Sequence, residues 1–479
     1  MHIVDMIYYW ARIAPHRPAV IQTSANLTFR ELAAGIDSIA ENISRLNLDE
    51  REYVGVCIMN PTFMLMTAFA LLREGHNASP IGIRRLPEIN AAGIRTLITD
   101  QQNYSNPDMR IIPFSESWLA NAQSARSSPA PRKKAVSSPE LVFFTSGTTG
   151  LPKKIVQPAA ALDERLRSPL ACGIGPYQKA LILPGLTTTF GFNFTCEVLN
   201  FGKTACFCLV ERAFDLINLY GVEAVVLSAA QALGLTVTKE KNPGLRVDTL
   251  KTIFIGGGKV DPDGIARVRA ALCRNVINDY GSTEAGTAVR SPFAAIDDAA
   301  GGVPLPWVDI QAVDDNDQPL PAGSEGILRL RTPQLLGTLK SGSAQTSNIR
   351  NGWFYPGDVG VLAADGALRL SGRNTDVINR GGVKISGGRI EEILKSLPQI
   401  KDAAACGVTG LSGLEEIWIG VVPNGALDIA TIKDHLLAHM DVQIAPDEVV
   451  VLKEIPRGEL GKIQKTRLEE LLLAGKRGR

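Results

Sequence analysis

From about residue 50 onward, short apolar runs alternate with amphipathic stretches. The runs 141–144, 181–183, 205–209, 224–227 and 252–255 are continuous in hydrophobic character, which predicts strands. Between them lie helical patterns. Pro262 opens one that places Ile265, Val268 and Leu272 on a single face. At the N-terminus Ile3, Ile7 and Trp10 share one face of a predicted short helix. The apolar run 63–72 is too short to cross a bilayer and predicts a buried helix. Strands alternating with helices argue for layered α/β architecture with mostly parallel strands.

The texture changes near residue 303. Shorter strands at 309–313, 327–331, 359–363 and 367–370 predict a small β module. Beyond Gly372, Ile390, Ile393, Leu394 and Leu397 recur with helical spacing, and Pro398 ends that run. Strands at 403–408, 417–422 and 449–452 complete a pattern expected of a separate α+β domain of about 100 residues. The expected division is 1–372, a hinge at 373–376, and 377–479. Residues 123–139, rich in Ser, Pro and basic side chains, read as a surface loop or seam.

Composition narrows the function. The chain has 479 residues, 45% hydrophobic and 21% charged, as in ordinary globular proteins. Lys and Arg number 50 against 49 Asp and Glu, so the net charge of +1 lacks the basic footprint of a nucleic-acid binder. Seven cysteines without a CxxC pair argue against a disulfide framework and for a reducing compartment. The N-terminus has an early Asp5, no basic lead and no clean cleavage site, so no signal peptide is expected. A cytoplasmic location without a membrane span is the expectation.

The densest chemistry lies at Leu141-Val-Phe-Phe-Thr-Ser-Gly-Thr-Thr-Gly-Leu-Pro-Lys153. A buried strand feeds a loop of Thr145, Ser146, Gly147, Thr148, Thr149 and Gly150, closed by Lys153. Hydroxyls, glycine-freed backbone N–H groups and one cation are what a polyphosphate requires. The glycine-to-lysine spacing is not that of a Walker loop.

This segment, FTSGTTGLPK, resembles the phosphate loop of the adenylate-forming (AMP-binding) superfamily, and the chain is similar to its acyl- and aryl-CoA synthetases. Further motifs follow in the family's order, from about residue 28 to 465. Asn278-Asp-Tyr-Gly-Ser-Thr-Glu284 is similar to the second signature. The resemblance gives Glu284 a Mg²⁺ that bridges ATP phosphates, sets Asn278 and Tyr280 beside adenine, and puts Thr283 near the α-phosphate. Gly256, Gly257 and Gly258 resemble the backbone passing adenine and the acyl group; Gly281, Ser282 and Gly286 complete the implied acyl pocket. Gly352-Trp-Phe-Tyr-Pro-Gly-Asp358 resembles the ribose-binding turn, with Asp358 accepting from the hydroxyls, and Arg373 matches the basic residue approaching ribose and phosphate. Gly458-Glu-Leu-Gly-Lys462 is similar to the C-terminal motif, which makes Lys462 the catalytic lysine. Ile-Asn-Arg-Gly-Gly382 resembles the loop that meets the thiol.

The implied fold is α/β: a large N-terminal domain of layered sheets plus a β module, with a small mobile α+β C-terminal domain. The implied activity is conversion of a carboxylic acid, ATP and Mg²⁺ to an acyl-adenylate, followed by transfer to coenzyme A. The alternative partner is an acyl carrier protein, loaded on its phosphopantetheine. Departures from the family pattern are Thr375 at the hinge, Pro356 in the ribose turn, and Gly387 and Arg389 in the following loop. Phe190, Phe192 and Phe194 fit either an apolar cleft or the core. Small neutral side chains at Ser282, Ala285 and Gly286 favour an uncharged acyl tail.

Overall fold

The computed structural model describes residues 3–23, 25–87, 89, 93–120, 139–145, 153–158, 161–166, 175–258, 262–290, 302–335, 348–373, 377–380, 383–409, 415–439, 445–458 and 463–477. The chain divides into two compact units. One comprises Met1–Asp298, Leu305–Val308 and Thr332–Ser347; the other comprises Ala299–Pro304, Asp309–Arg331 and Asn348–Arg479.

The first unit contains two large sheets. One has six strands in the order Arg110–Pro113, Thr96–Thr99, Tyr53–Cys57, Asn77–Pro80, Glu140–Thr145 and Lys153–Pro158. All neighbours are parallel except the last pair, which is an antiparallel hairpin. In the other sheet Val276–Ser282, Thr252–Gly256, Ala224–Ser228, Lys179–Ile182, Thr204–Phe207 and Pro18–Gln22 run parallel. Antiparallel strands Gly286–Arg290 and Ala25–Thr28 flank that run. Ala224–Ser228 and Thr252–Gly256 are buried at every position, which is why the sequence shows unbroken apolar runs there rather than alternation.

Helix boundaries follow local chemistry. Helix Phe29–Ser44 begins at a Thr28–Glu31 capping box. Helix Pro61–Glu74 has Asn60 as its N-cap, Pro61 in the first turn and Gly75 in the left-handed conformation at its end. This is the buried helix expected over 63–72. The N-terminal helix spans Ile3–Ile13 and buries Ile7. The run 205–209 is cut short. Beyond Phe207 neither neighbouring strand continues the pairing, so the chain leaves the sheet and Leu209 is 75% exposed.

The second unit joins an antiparallel β module to an α+β segment. In the module Glu325–Arg331 pairs with Asp309–Val313, Trp353–Phe354 and Asp358–Leu362, and the last pairs with Leu368–Arg373. A hairpin of Val377–Arg380 and Val383–Ser386 follows. Strands Ile400–Thr409, Glu415–Pro423 and Glu448–Val451 then form a three-stranded sheet. Helix Gly387–Lys395 buries Ile390, Ile393 and Leu394 against it, as the helical spacing predicts. Lys465, at the start of helix Lys465–Arg477, donates to Glu391 Oε1 at 2.7 Å and to the Ala405 carbonyl at 2.6 Å. Among the described residues no helix is long and apolar enough to cross a membrane.

Candidate active site

Hydrophobic strand Glu140–Thr145 and its partner Lys153–Pro158 carry the ends of the phosphate-loop motif. Their register sets Thr145 opposite Lys153, so the loop leaves and re-enters the sheet at one place. Ser146, Gly147, Thr148, Thr149 and Gly150 lie outside the described residues. Leu141, Val142 and Phe143 are buried and anchor the outgoing strand. The incoming strand is held at Lys154, whose ammonium sits 3.7 Å from the Tyr53 ring centroid, while the Tyr53 hydroxyl donates to Glu140 at 2.6 Å.

The second signature forms a hairpin. Strand Val276–Ser282 pairs with Gly286–Arg290 through a register shift between Tyr280 and Gly281. Thr283, Glu284 and Ala285 make the turn, and Gly286 follows at φ 72°, a backbone state that glycine adopts without Cβ strain. The Ala285 N–H donates to Ser282 Oγ at 3.0 Å and closes the turn. Glu284, half-buried, therefore stands at its apex. Strand alternation sets half-buried Asn278 and Tyr280 on one face and buried Asp279 on the other.

Two residues passed over in the sequence hold this turn. Gln157 belongs to the strand that closes the phosphate loop, and its Nε2 donates to the Thr283 carbonyl at 3.2 Å. Arg165 lies on the short helix 161–166 just beyond. Its Nη2 donates to the Thr283 carbonyl at 2.9 Å and to the Glu284 carbonyl at 3.1 Å. Arg165 is 7% exposed. Burial pulls its guanidinium down to about 10 while the Glu284 charge acts in the opposite sense, so it stays protonated at neutral pH. In the sequence it sits among the charges of LDERLR and looks like a solvated helix face. Gln157, a lone amide ending an apolar strand, was the available signal.

On the other face of the strand, Asp279 receives both Nε and Nη2 of Arg290, at 2.7 and 2.8 Å. Glu197, on helix Thr189–Asn200, feels this pair. Burial pushes its carboxyl up to about 7, with Asp279 pushing the same way and Arg290 and Lys203 pulling against it. The phenylalanines divide. Phe192 and Phe194 are core, with ring centroids 5.5 Å from Phe143 and 4.9 Å from Phe254 respectively. Phe190 is only partly buried, and a Cβ on Gly256 would fall 2.8 Å from its ring. Gly257 has φ 78°. Thr188 caps helix Thr189–Asn200 by accepting from the Gly191 N–H at 3.1 Å.

The second unit holds the ribose-turn residues. Asp358 is 8% exposed and follows Gly357 at φ 81°. It is paired in register with Arg373 on the next strand. Tyr355 of the same motif donates to Asp317 Oδ1 at 2.9 Å. Gly387 begins helix Gly387–Lys395, and Arg389 pairs with Glu392 at 3.3 Å on its exposed surface. Thr375, Gly382 and Lys462 lie outside the described residues.

The donor set fits Mg²⁺ carried by a nucleotide. Among the described residues there is no cluster of three or more His, Cys, Asp or Glu able to cage a metal. Mg²⁺ does not need one: it keeps several waters and takes one or two carboxylates together with substrate phosphates. A single half-buried carboxylate at a turn apex meets that requirement. A buried carboxylate at Asp358 supplies acceptors for hydroxyl donors such as those of a ribose.

Known proteins resemble this chain over nearly its whole length. A salicyl-AMP ligase/salicyl-S-ArCP synthetase from Mycobacterium tuberculosis is 27% identical, covering 95% of this chain and 88% of that protein. An indoleacetate–CoA ligase from Aromatoleum aromaticum is 26% identical, with 98% of each covered. Among solved structures, ATP-bound MatB from Rhodopseudomonas palustris shares the fold, with a TM-score of 0.85 at 19% identity over 98% of this chain and 99% of that one. The family model for AMP-binding enzymes matches residues 7–338, a span that runs through the phosphate hairpin and the Glu284 turn. By that match over most of its length, the chain belongs to the AMP-binding enzyme family.

Proposed function

We propose that the protein activates a carboxylic acid with ATP and passes the acyl group to the thiol of coenzyme A. In the first step a carboxylate oxygen attacks the α-phosphorus, the bond to the β-phosphate oxygen breaks, and pyrophosphate leaves. In the second step the thiol sulfur attacks the acyl carbon, losing its proton, and AMP departs with the electron pair. The protein's part is positioning and charge neutralisation. Mg²⁺, held by Glu284, would neutralise phosphate charge. Thr145, Ser146, Gly147, Thr148, Thr149, Gly150 and Lys153 would cradle the phosphates, with Thr283 at the α-phosphate. Asn278 and Tyr280 would take the base, and Asp358 and Arg373 the ribose. Lys462 would offset the repulsion between the incoming carboxylate and the triphosphate.

Gly256, Gly257, Gly258, Gly281, Ser282 and Gly286 are the proposed acyl surroundings. Residues 373–376, including Thr375, are the proposed pivot by which the segment 377–479 withdraws Lys462 and brings Gly382 to the thiol. The observation that carries the reading is the tie between the Thr283–Glu284 turn and the phosphate-loop hairpin, made by Gln157 and Arg165. The curated relative named as an indoleacetate–CoA ligase supports coenzyme A as acceptor. A relative named as a salicyl-AMP ligase and carrier-protein synthetase supports a second reading, in which the acceptor is a carrier-protein phosphopantetheine. Free cysteines at six described positions suit a cytoplasmic location. The test is ATP–pyrophosphate exchange over a panel of carboxylic acids, followed by thioester formation with coenzyme A or a holo carrier protein. Absence of exchange with every acid would sink the activation step. Transfer to the carrier alone would select the second reading.

A further inference from the structure

The Glu284 turn is tied to the strand that closes the phosphate loop through its own backbone. Two carbonyls, those of Thr283 and Glu284, are gripped by one guanidinium, and the first is shared with the Gln157 amide. The two acceptors lie 118 and 119 residues from Arg165, their donor, in sequence, so only tertiary folding makes the grip. It is also tightly enclosed. Gln157 is 1% exposed and Gln334, packed against Gly286, is 4% exposed. A Cβ at Gly286 would fall 2.1 Å from Gln334 Oε1 and 3.2 Å from Arg165 Nε. The turn therefore has little room to change its path while Arg165 is in place.

We propose that Arg165, seconded by Gln157, is a positioning residue that fixes the Glu284 turn against the phosphate hairpin, so that the carboxylate is presented where a nucleotide-bound Mg²⁺ needs it. The inference rests on the Mg–ATP reading of the site and deepens it. Arg165 itself touches no reacting atom. Its Nη2 is spent on the two backbone carbonyls, while Nε and Nη1 are buried without a hydrogen-bond partner of their own among the described residues. Without it Glu284 keeps its carboxylate but loses the fixed address of that carboxylate, and the loss falls on the metal-dependent part of nucleotide binding. Most of the proposed ATP contacts that do not involve the metal, those of the phosphate loop, Asp358 and Arg373, come from other segments and remain.

The experiment is equilibrium binding of ATP to the full chain, by calorimetry, once with Mg²⁺ and once with EDTA, alongside thermal denaturation. The wild type should bind ATP more tightly with Mg²⁺. Arg165→Met keeps an apolar stem and removes the donors. It should lose the Mg²⁺-dependent tightening by roughly tenfold or more, the scale for losing hydrogen bonds from a charged donor, with a much smaller loss of affinity in EDTA. Arg165→Lys, which retains a cation able to reach one carbonyl, should recover part of the loss. Gln157→Leu should show a smaller loss of the same kind. Should Arg165→Met not fold, the Lys and Gln157 variants make the same comparison. Full Mg²⁺-dependent tightening in these variants overturns the proposal. So does an equal loss with and without Mg²⁺, which would mark Arg165 as a structural residue only. A wild type whose ATP binding ignores Mg²⁺ overturns the metal reading itself, and that result is distinguishable because it precedes any substitution.

Discussion

Gly281→Ala adds one methyl group at the place where the signature hairpin is tightest. The new Cβ would lie 2.1 Å from the Gly286 carbonyl oxygen and 2.9 Å from both the Gly286 carbonyl carbon and Thr287 Cα. All three atoms are backbone, so no side chain can rotate aside. Ordinary contact begins at 3.4 Å. The difference, 3.4 less 2.1, requires the facing strand to withdraw by about 1.3 Å, because repulsion rises steeply inside that distance. The turn carrying Thr283 and Glu284 connects the two strands and must move with them. Overpacking of this kind costs about 1–3 kcal/mol of stability. A shift of about 1 Å in a positioned catalytic group costs on the order of 10²-fold in rate. ATP–pyrophosphate exchange and thermal denaturation read the two effects separately. Gly234→Ala is the control. Gly234 lies in helix Ala229–Lys241 and its Cβ would meet nothing within 4 Å, so the same methyl group should stabilise by about 0.5–1 kcal/mol and leave exchange unchanged. Wild-type exchange and melting temperature in Gly281→Ala would refute the packing argument.

Other outcomes follow from single groups. Glu284→Gln keeps shape and removes the anionic ligand; exchange should fall sharply at limiting Mg²⁺ with the fold retained, and wild-type exchange there would exclude Glu284 as the metal ligand. Glu197, raised from 4.5 to about 7 chiefly by burial, holds in the fold a proton that the unfolded chain releases. Its stabilising contribution is present below pH 4.5 and lost as pH rises through 7, so Glu197→Gln should flatten the fall in melting temperature across that window; parallel curves would contradict this. Lys462→Ala should lose on the order of 10²–10³ in adenylate synthesis yet convert supplied acyl-adenylate to thioester at near-normal rate. Equal losses in the two half-reactions would remove the case for Lys462 acting in the first step alone.

Much of the scaffold is determined by the sequence alone. Strands such as Ala224–Ser228 and Thr252–Gly256 are buried on both faces, and continuous apolar runs are the direct record of that burial. Caps do the same for helices: Asn60 and Pro61 before an apolar stretch and Gly75 after it set both ends of one buried helix. The turns beside Glu284 and Asp358 are also legible, because Gly286 and Gly357 take positive φ there. What the sequence leaves open is partnership between distant polar groups. Arg165 in LDERLR has the appearance of a solvated charge, and nothing around Asp279 in the sequence names its partner. Folding instead buries the first under the Glu284 turn and locks the second to Arg290. The three phenylalanines 190, 192 and 194 have one periodicity and two fates, since only the sheet beneath determines which ring meets Phe143 or Phe254 and which lies over Gly256. Apolar burial is written in local pattern because each residue obeys it separately. Pairing of polar groups depends on which strands become neighbours, and that is decided by the tertiary structure.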